Sequence, residues 1–367
     1  MMDEKSASVE ARRNGMNYAP KGKPNPVCKS GEFRFAALGL DHGHIYGMCN
    51  GLTEAGADLV WVYDPDKKKS EAFKKEFPQV KIARSEEEVL NDESIQMVAN
   101  AGIPADRCAM GLKVLDHGKH YFSDKPPLTT LEQLQQARQK VKQTALKYAV
   151  YYSERLHVES GVYAGELIAQ GAIGRVLQVV NLAPHRIGLS NRPDWFFKKE
   201  RYGGILVDIG SHQVEQFLSY SGAKDARVLH STIANYHHKQ YPAFEDFGDA
   251  TLLADNGATQ YFRVDWFTPD GLGVWGDGRV FILGTDGTIE LRKYIDIARD
   301  ETGDHIYLVN QEGKYHLPVA GRVGYPYFGQ IILDCIHGTE KAMTQQHAFK
   351  AIEISIQAQM QAELIED

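Results

Sequence analysis

The sequence predicts a two-part α/β protein. A parallel sheet covered by helices, of the Rossmann kind, stands at the N-terminal end, followed by a mostly antiparallel α+β unit. Three observations carry this. From Phe33 to Tyr152, apolar runs of strand length alternate with amphipathic runs of helix length, the pattern of successive βαβ crossovers. After Tyr152 that alternation gives way to short strand-like runs separated by turns, with hairpin signals at Asp255-Asn256-Gly257 and Thr285-Asp286-Gly287. A chain of 367 residues is also longer than one hydrophobic core usually serves.

The elements follow in order. Residues 1–32 are polar and rich in Lys, Pro and Gly, and read as an extended arm. Phe33–Leu40 is apolar throughout, as expected of a strand buried on both faces, and His44–Ala55 follows as a helix. Leu59–Tyr63 is a second buried strand, ending at Asp64; Pro65 then suits the first turn of a helix over 67–77. After a short strand at 80–83, Ser85-x-x-Glu88 forms a capping box. Strands at 95–101, 120–123 and 148–152 alternate with helices at 105–116 and 130–144. In the second part, helices are expected at 159–170 and 207–220. Strands are expected at 176–183, 228–236, 250–254, 259–267, 279–283, 288–291 and 306–309, and closing helices over 327–365. The domain boundaries are thus 33–152 and 153–367.

Composition excludes several classes. The net charge is −7, and the basic clusters at Lys67–Lys69 and Lys198–Lys199 are diluted by nearby acids, so no basic face for nucleic acid is expected. No apolar run suits a membrane span, and none follows Arg12-Arg13 as a leader requires. Cys28, Cys49, Cys108 and Cys335 are scattered, without zinc spacing, which suits reduced thiols in a cytoplasm.

Four stretches carry chemistry. The first strand runs into Gly39-Leu40-Asp41-His42-Gly43-His44, a turn whose N–H groups could meet a pyrophosphate at the following helix start. Against the G-x-G-x-x-G fingerprint it keeps the first glycine, with Asp41 at the second and His44 at the third. An aspartate there requires that it turn away or pair with His42 or His44. Asp41-His42-x-His44 could also begin a metal site, but no further ligand cluster accompanies it and no metal is expected. Asp64, closing the second strand, suits an acid that accepts from ribose hydroxyls and disfavours NADP, or equally a helix cap. Asp124-Lys125-Pro126-Pro127 ends the fifth strand, where ligands gather on open parallel sheets; Lys125 could position a substrate hydroxyl or be a surface lysine in a turn. Arg201–His212 places Asp208 and His212 four residues apart on one helical face, either structural or the proton-handling groups of a hydride transfer.

Together these segments resemble the Gfo/Idh/MocA oxidoreductases. The family's E-K-P motif appears as Asp124-Lys125-Pro126, and its G-G-x-x-x-D-x-G-x-H stretch is intact from Gly203 to His212; Glu245–Ala250 is also similar. The resemblance implies a nicotinamide cofactor, NAD(P), for which Asp64 favours NAD over NADP; its expected contacts are Gly39, Leu40, His42, Gly43, His44, Asp64, Ala101, Gly102, Ile103, Asp124, Lys125 and Trp195. It implies that Lys125, Asp208 and His212 are catalytic, His212 as the general acid/base. Where the family often has Thr-Pro-Asn and a histidine, this chain has Ala101-Gly102-Ile103-Pro104 and Arg107. Tyr152, Arg155, His185, Arg186 and Trp266 are the expected substrate contacts, an aromatic and hydrogen-bonding set suited to carbohydrate. The expected activity is hydride transfer between NAD(P) and a sugar or polyol. The alternatives are an NAD-recycling glycosidase or epimerase of the same family, or a non-catalytic dinucleotide sensor. A homodimer or homotetramer is expected by family analogy.

Overall fold

The structure, a computed structural model, describes residues 24–366. It divides into two compact units: residues 24–151 with Tyr325–Phe349, and residues 152–324 with 350–366.

The first unit is built on six parallel strands, β1 (Arg34–Leu38), β2 (Asp58–Tyr63), β3 (Lys81–Ile82), β4 (Met97–Asn100), β5 (His120–Asp124) and β6 (Tyr148–Tyr151). Their order is β3-β2-β1-β4-β5-β6. The connecting helices are α1 (His44–Glu54), α2 (Lys67–Glu76), α3 (Glu86–Leu90), α4 (Pro104–Asp116) and α5 (Leu131–Lys142). Phe35–Leu38 in β1 and all of β4 and β6 are buried, which is why these strands are apolar on both faces. The strand order reverses direction between β1 and β4, so the loops after these two strands open a crevice at their C-terminal ends, where ligands of such sheets bind.

Of the expected N-terminal arm, residues 1–23 lie outside the described residues. In the remainder, Asn25 and Val27 donate to the carbonyls of Glu54 and Ala55 at the end of α1.

The second unit opens with α6 (Ser153–Leu156) and α7 (Glu159–Ala169). A nine-stranded sheet follows: β7 (Val176–Pro184), β8 (Ala226–Ala234), β9 (Phe247–Ala254), β10 (Thr259–Asp265), β11 (Arg279–Gly284), β12 (Gly287–Arg292), β13 (His305–Asn310), β14 (Gly313–Pro318) and β15 (Glu363–Ile365). Between β7 and β8 run two 3-10 turns, Leu189–Asn191 and Asp194–Phe197, and the helices α8 (Lys199–Tyr202), α9 (Ile205–Asp208) and α10 (Gly210–Ser221). The sheet order is β14-β13-β12-β11-β7-β10-β9-β8-β15. It is mostly antiparallel, with parallel pairing of β7 to β10 and of β8 to β15. Alternate residues of β9 are buried, while Phe281 and Leu283 of β11 and Val309 of β13 stand exposed.

Several expectations are corrected. The closing segment does not lie wholly in the second unit: α11 (Pro326–His337) groups with the first. Phe328 is the reason, since its ring lies where a side chain on Gly51 of α1 would stand. The last helix, α12 (Gln345–Met360), stops short of Ile365, because residues 363–365 pair with β8 as a strand. The polar strand β14, unforeseen for want of an apolar pattern, pairs along β13. The helix expected at 207–220 divides at Ile209, which stays in right-handed helical geometry, so Asp208 and His212 keep nearly continuous helical spacing. Among the described residues no helix is long and apolar enough to cross a membrane.

Candidate active site

The site residues of the first unit gather at the C-terminal ends of β1, β2, β4 and β5. Gly39 has φ +70°, and a side chain there would meet the Asn100 amide at 2.7 Å, so the tight exit from β1 requires glycine. Helix α1 begins at His44 without a side-chain cap. The N–H of His44 meets His42 Nδ1 at 3.3 Å, and those of Ile45 and Tyr46 donate to the carbonyls of His42 and Gly43, so the turn satisfies its own first donors. Asp41 pairs with neither His42 nor His44. Its carboxylate accepts from Lys69 of α2 at 2.6 Å. The lysine neutralises the acid that seemed out of place in a phosphate turn.

Asp64 is buried, and it is not the helix cap; that is Asp66, whose side chain accepts from the N–H of Lys68. Asp64 instead accepts from the N–H of Leu40 at 2.7 Å and from that of Asp66 at 2.9 Å. It thereby ties the end of β2 to the turn after β1.

Asp124 is fully buried and faces three basic groups: His44 Nδ1 at 2.9 Å, His42 Nδ1 at 3.2 Å and Arg107 Nη2 at 3.0 Å. Burial would raise its pKa, but His44, Arg107 and His42 outweigh that and hold it well below the ordinary carboxylate range. Burial, with His44 beside it, pushes His42 down to about 3, so its imidazole is neutral at physiological pH. His42, His44 and Asp124 bring one potential metal-ligating atom each within 4.8 Å of one another. The guanidinium already bound to Asp124 would oppose a cation at that place, and the set reads better as an ionic clasp.

Arg107 is the residue whose importance the sequence understated. Its side chain donates to the carbonyls of Gly102, Lys125 and Pro126 as well as to Asp124. One planar guanidinium thus joins the loop after β4 to the segment carrying Lys125, a task suited to its rigid fork of donors. Asn100 supports the same loop, donating to Leu38 O at 2.6 Å and accepting from Gly102 N at 3.2 Å. Lys125 itself is buried, at 5% exposure. Ala101 is buried and Gly102 and Ile103 partly so, in the loop that Arg107 clasps.

The second unit holds Asp208 and His212. Gly203 and Gly204 have φ of +93° and +96°. A side chain on Gly204 would run into the Gln359 amide. This close approach lets Gln359 accept from Leu206 N at 3.0 Å while Glu245 accepts from Ile205 N at 2.8 Å, satisfying the start of α9. Gly248 of β9 faces Ile205 and Leu206 and has no room for a side chain. The paired glycines, Glu245 and Gly248 therefore serve to seat the short helix that bears Asp208.

His212 is buried and meets Tyr152 edge to face, ring centres 6.3 Å apart. His185 stands between Trp266 and Trp275, at 5.4 and 4.2 Å, and its Nε2 lies 3.5 Å from Glu154. Arg192, absent from the sequence expectation, stacks over Trp266 at 5.0 Å and over Phe196 at 4.4 Å and feels the charge of Asp208. Burial pushes it down to about 10. Tyr152, His185 and Trp266 thus belong to one neighbourhood with Asp208 and His212. Two other expected substrate residues are engaged elsewhere. Arg155 forms a two-nitrogen pair with buried Glu215. Arg186 binds Asp270 and the carbonyls of Leu272 and Val274, fastening a loop. Trp195 is half-buried beside Phe196 in the second unit.

Residues 37–152 match the oxidoreductase family with an NAD-binding Rossmann fold, and residues 162–290 match the GFO/IDH/MocA C-terminal domain. The chain is 52% identical to an oxidoreductase from Erwinia carotovora atroseptica SCRI1043. That crystal structure superposes with a TM-score of 0.89 over 91% of this chain and 100% of the other. The present chain is 28% identical to scyllo-inositol 2-dehydrogenase (NAD(+)) of Bacillus subtilis over 77% of its own length and 78% of that protein. A levoglucosan dehydrogenase in complex with NADH and levoglucosan shares the fold, with a TM-score of 0.73 at 16% identity, over 89% of this chain and 95% of the other.

Proposed function

This chain belongs to the Gfo/Idh/MocA oxidoreductases, and we propose that it dehydrogenates a secondary hydroxyl of a sugar or cyclic polyol with NAD+ as the acceptor. The observation that carries the reading is the buried His212 set four residues after Asp208 on a purpose-built helix start, with Tyr152, His185 and Trp266 in the same neighbourhood. The inositol dehydrogenase relative supports a polyol.

The β1–α1 turn suits a dinucleotide. Gly39 leaves space that a Cβ would fill, and Asp41 is neutralised by Lys69. Gly39, Leu40, His42, Gly43 and His44 would meet the phosphates, and Asp64, through its remaining lone pairs, the adenosine ribose; its charge disfavours a 2′-phosphate. Ala101, Gly102, Ile103, Asp124 and Trp195 would line the cofactor. When bound, the nicotinamide supplies the hydride acceptor.

The chain's own residues handle the rest. Lys125 donates to the reacting oxygen and stabilises negative charge on it. As the carbinol C–H bond yields its hydride and the C=O forms, the hydroxyl proton passes to the imidazole of His212. Asp208 orients that hydroxyl and favours the imidazolium that results. Tyr152, His185 and Trp266 contact the rest of the ring. A second copy of the chain covers the open face bearing Phe281, Leu283 and Val309, and Phe281→Glu then lowers the solution mass measured by light scattering.

The test is NADH production by the purified protein with a panel of inositols and aldoses. Wild-type activity on at least one, reduced by about a hundredfold or more in His212→Ala and in Lys125→Ala, is expected from the loss of positioned proton transfer and charge stabilisation. Silence across the panel, or full turnover in both variants, would sink the reading.

A further inference from the structure

Beneath His212 lies a buried polar circuit that none of these roles uses. Glu154, from α6 and 1% exposed, accepts through Oε2 from Gln213 Nε2 at 3.0 Å and from Lys293 Nζ at 3.2 Å. Lys293, just past β12 and 2% exposed, also donates to Gln216 Oε1 at 2.7 Å. Gln216 Nε2 in turn donates to Gln213 Oε1 at 3.2 Å and to the carbonyl of His212 at 3.0 Å. Gln260 of β10 joins from the sheet, donating to the Gln213 carbonyl at 2.8 Å and to Asn181 of β7 at 2.7 Å. The turn of α10 that begins at His212 is therefore fixed by side chains from α6, β7, β10 and the end of β12.

Two oxygens of this circuit are left over, Gln260 Oε1 and Glu154 Oε1, and the second belongs to a charged group. Glu154 Oε1 is buried and accepts no hydrogen bond, and His185 Nε2 lies 3.5 Å from it. His185 Nδ1 lies 3.0 Å from the Ala183 carbonyl, which can only accept, so Nδ1 carries a proton. A proton added to His185 would therefore sit on Nε2, facing Glu154. A carboxylate with a full lone-pair set here costs desolvation unless positive charge gathers about it.

We propose that Glu154 is the positioning residue of proton transfer in this site: a buried carboxylate, anchored by Lys293 and Gln213, that serves as the shared counter-charge of His212 and His185. The catalytic part of the proposal rests on the dehydrogenase reading above; the electrostatic part does not. Against its burial, Lys293, His212 and His185 together hold Glu154 below the ordinary carboxylate range. Lys293 also feels the charges of Glu215 and Asp304. Glu215, on the helix of His212, is paired with Arg155; Asp208 of α9 feels Arg192; and Lys293 is the single cation inside the circuit. With Glu154 in place, an imidazolium formed on His212 meets an anion already fixed and dry, so no water need reorganise.

The test is a side-chain NMR titration of the histidines in the wild-type chain and in Glu154→Gln, with His212→Asn and His185→Asn assigning the signals. Glu154→Gln removes the anion and leaves Lys293, so the His212 midpoint is expected to fall by about one pH unit or more, as for loss of a close opposite charge. The doubly changed Glu154→Gln, Lys293→Met, which folds without a lone buried cation, should lie between that variant and wild type, and it carries the test should the single variant not fold. In parallel, the acidic limb of polyol oxidation against pH, where His212 loses its proton, moves to lower pH in Glu154→Gln. A His212 midpoint unchanged in the folded variants overturns the proposal. A shifted midpoint in a protein that oxidises none of the polyols overturns the dehydrogenase reading and leaves this one standing.

Discussion

The two units hold their candidate residues by different means. In the Rossmann unit side chains grip backbone: Arg107 takes three carbonyls, Asp64 two N–H groups, and Asn100 one of each. In the second unit side chains also grip one another across long stretches of chain, as Glu154 does with Lys293 and Gln359 with Glu245, although Gln359 and Glu245 cap backbone N–H groups as well. A backbone-gripping clasp cannot be replaced by changing its partner, because the carbonyls remain. A side-chain circuit can be replaced as a set.

The largest effects test that contrast directly. Arg107→Met and Lys293→Met each strand a buried carboxylate, and each should cost about 3–5 kcal/mol in denaturant unfolding. Removing both partners should separate the units. Glu154→Gln with Lys293→Met should recover most of the loss, whereas Arg107→Met with Asp124→Asn should not, since the carbonyls of Gly102, Lys125 and Pro126 stay without a donor. Equal recovery would break the comparison.

Next come the glycines. Gly39→Ala and Gly204→Ala both force a side chain into left-handed backbone and against a neighbour, at about 1–3 kcal/mol each. Gly39→Ala should weaken NADH binding measured by fluorescence. Gly204→Ala should leave binding intact and lower turnover. A smaller effect is expected at Asp64: Asp64→Ser should reduce the NAD+ over NADP+ preference in kcat/KM about tenfold, or roughly 1.4 kcal/mol.

The smallest and broadest effect is that of pH on stability. His42 and His120 of the first unit are pushed by burial from 6.5 to about 3 and about 4. Between pH 6.5 and 4 the unfolded chain binds protons that these folded groups refuse, so their contribution is lost as pH falls. Asp304 of the second unit is raised by burial from 3.8 to about 6, and its contribution is lost as pH rises through that window. Asp304→Asn should therefore steepen the rise of thermal stability from pH 4 to 6. An unchanged slope would remove Asp304 from the account.

This difference in construction also decides what could be read from the sequence. Gly39, Asp64, Asp124 and Lys125 were legible because strand ends are legible: an apolar run stops, and the residue after it sits where ligands sit. The Gly203–His212 stretch was legible as a motif, although the reason for its glycines, the close approach of Gln359, was not. Arg107 was noticed only as a departure, since nothing in a helical arginine announces three distant carbonyls. Glu154, Arg192 and Lys293 gave no signal. Their partners lie far away in the chain, and an isolated Glu or Lys looks like surface until its neighbour is known. Arg155 and Arg186 misled for the same reason: an arginine suits a sugar, but each already has a partner inside the fold.

Gln359 has one further consequence, and it concerns synthesis. The N–H of Leu206, four residues before the start of α10 and two before Asp208, finds its acceptor only in a residue made 153 positions later. While the ribosome is still translating the antiparallel sheet, the Gly203–Asp208 segment has been made but its cap has not. The Rossmann sheet strands are by then all made and free to pair. A nascent chain extended past α11, which completes the Rossmann unit, should therefore gain NADH affinity before it gains turnover, and a lesion or fusion disturbing residues 350–366 should silence the second property while sparing the first.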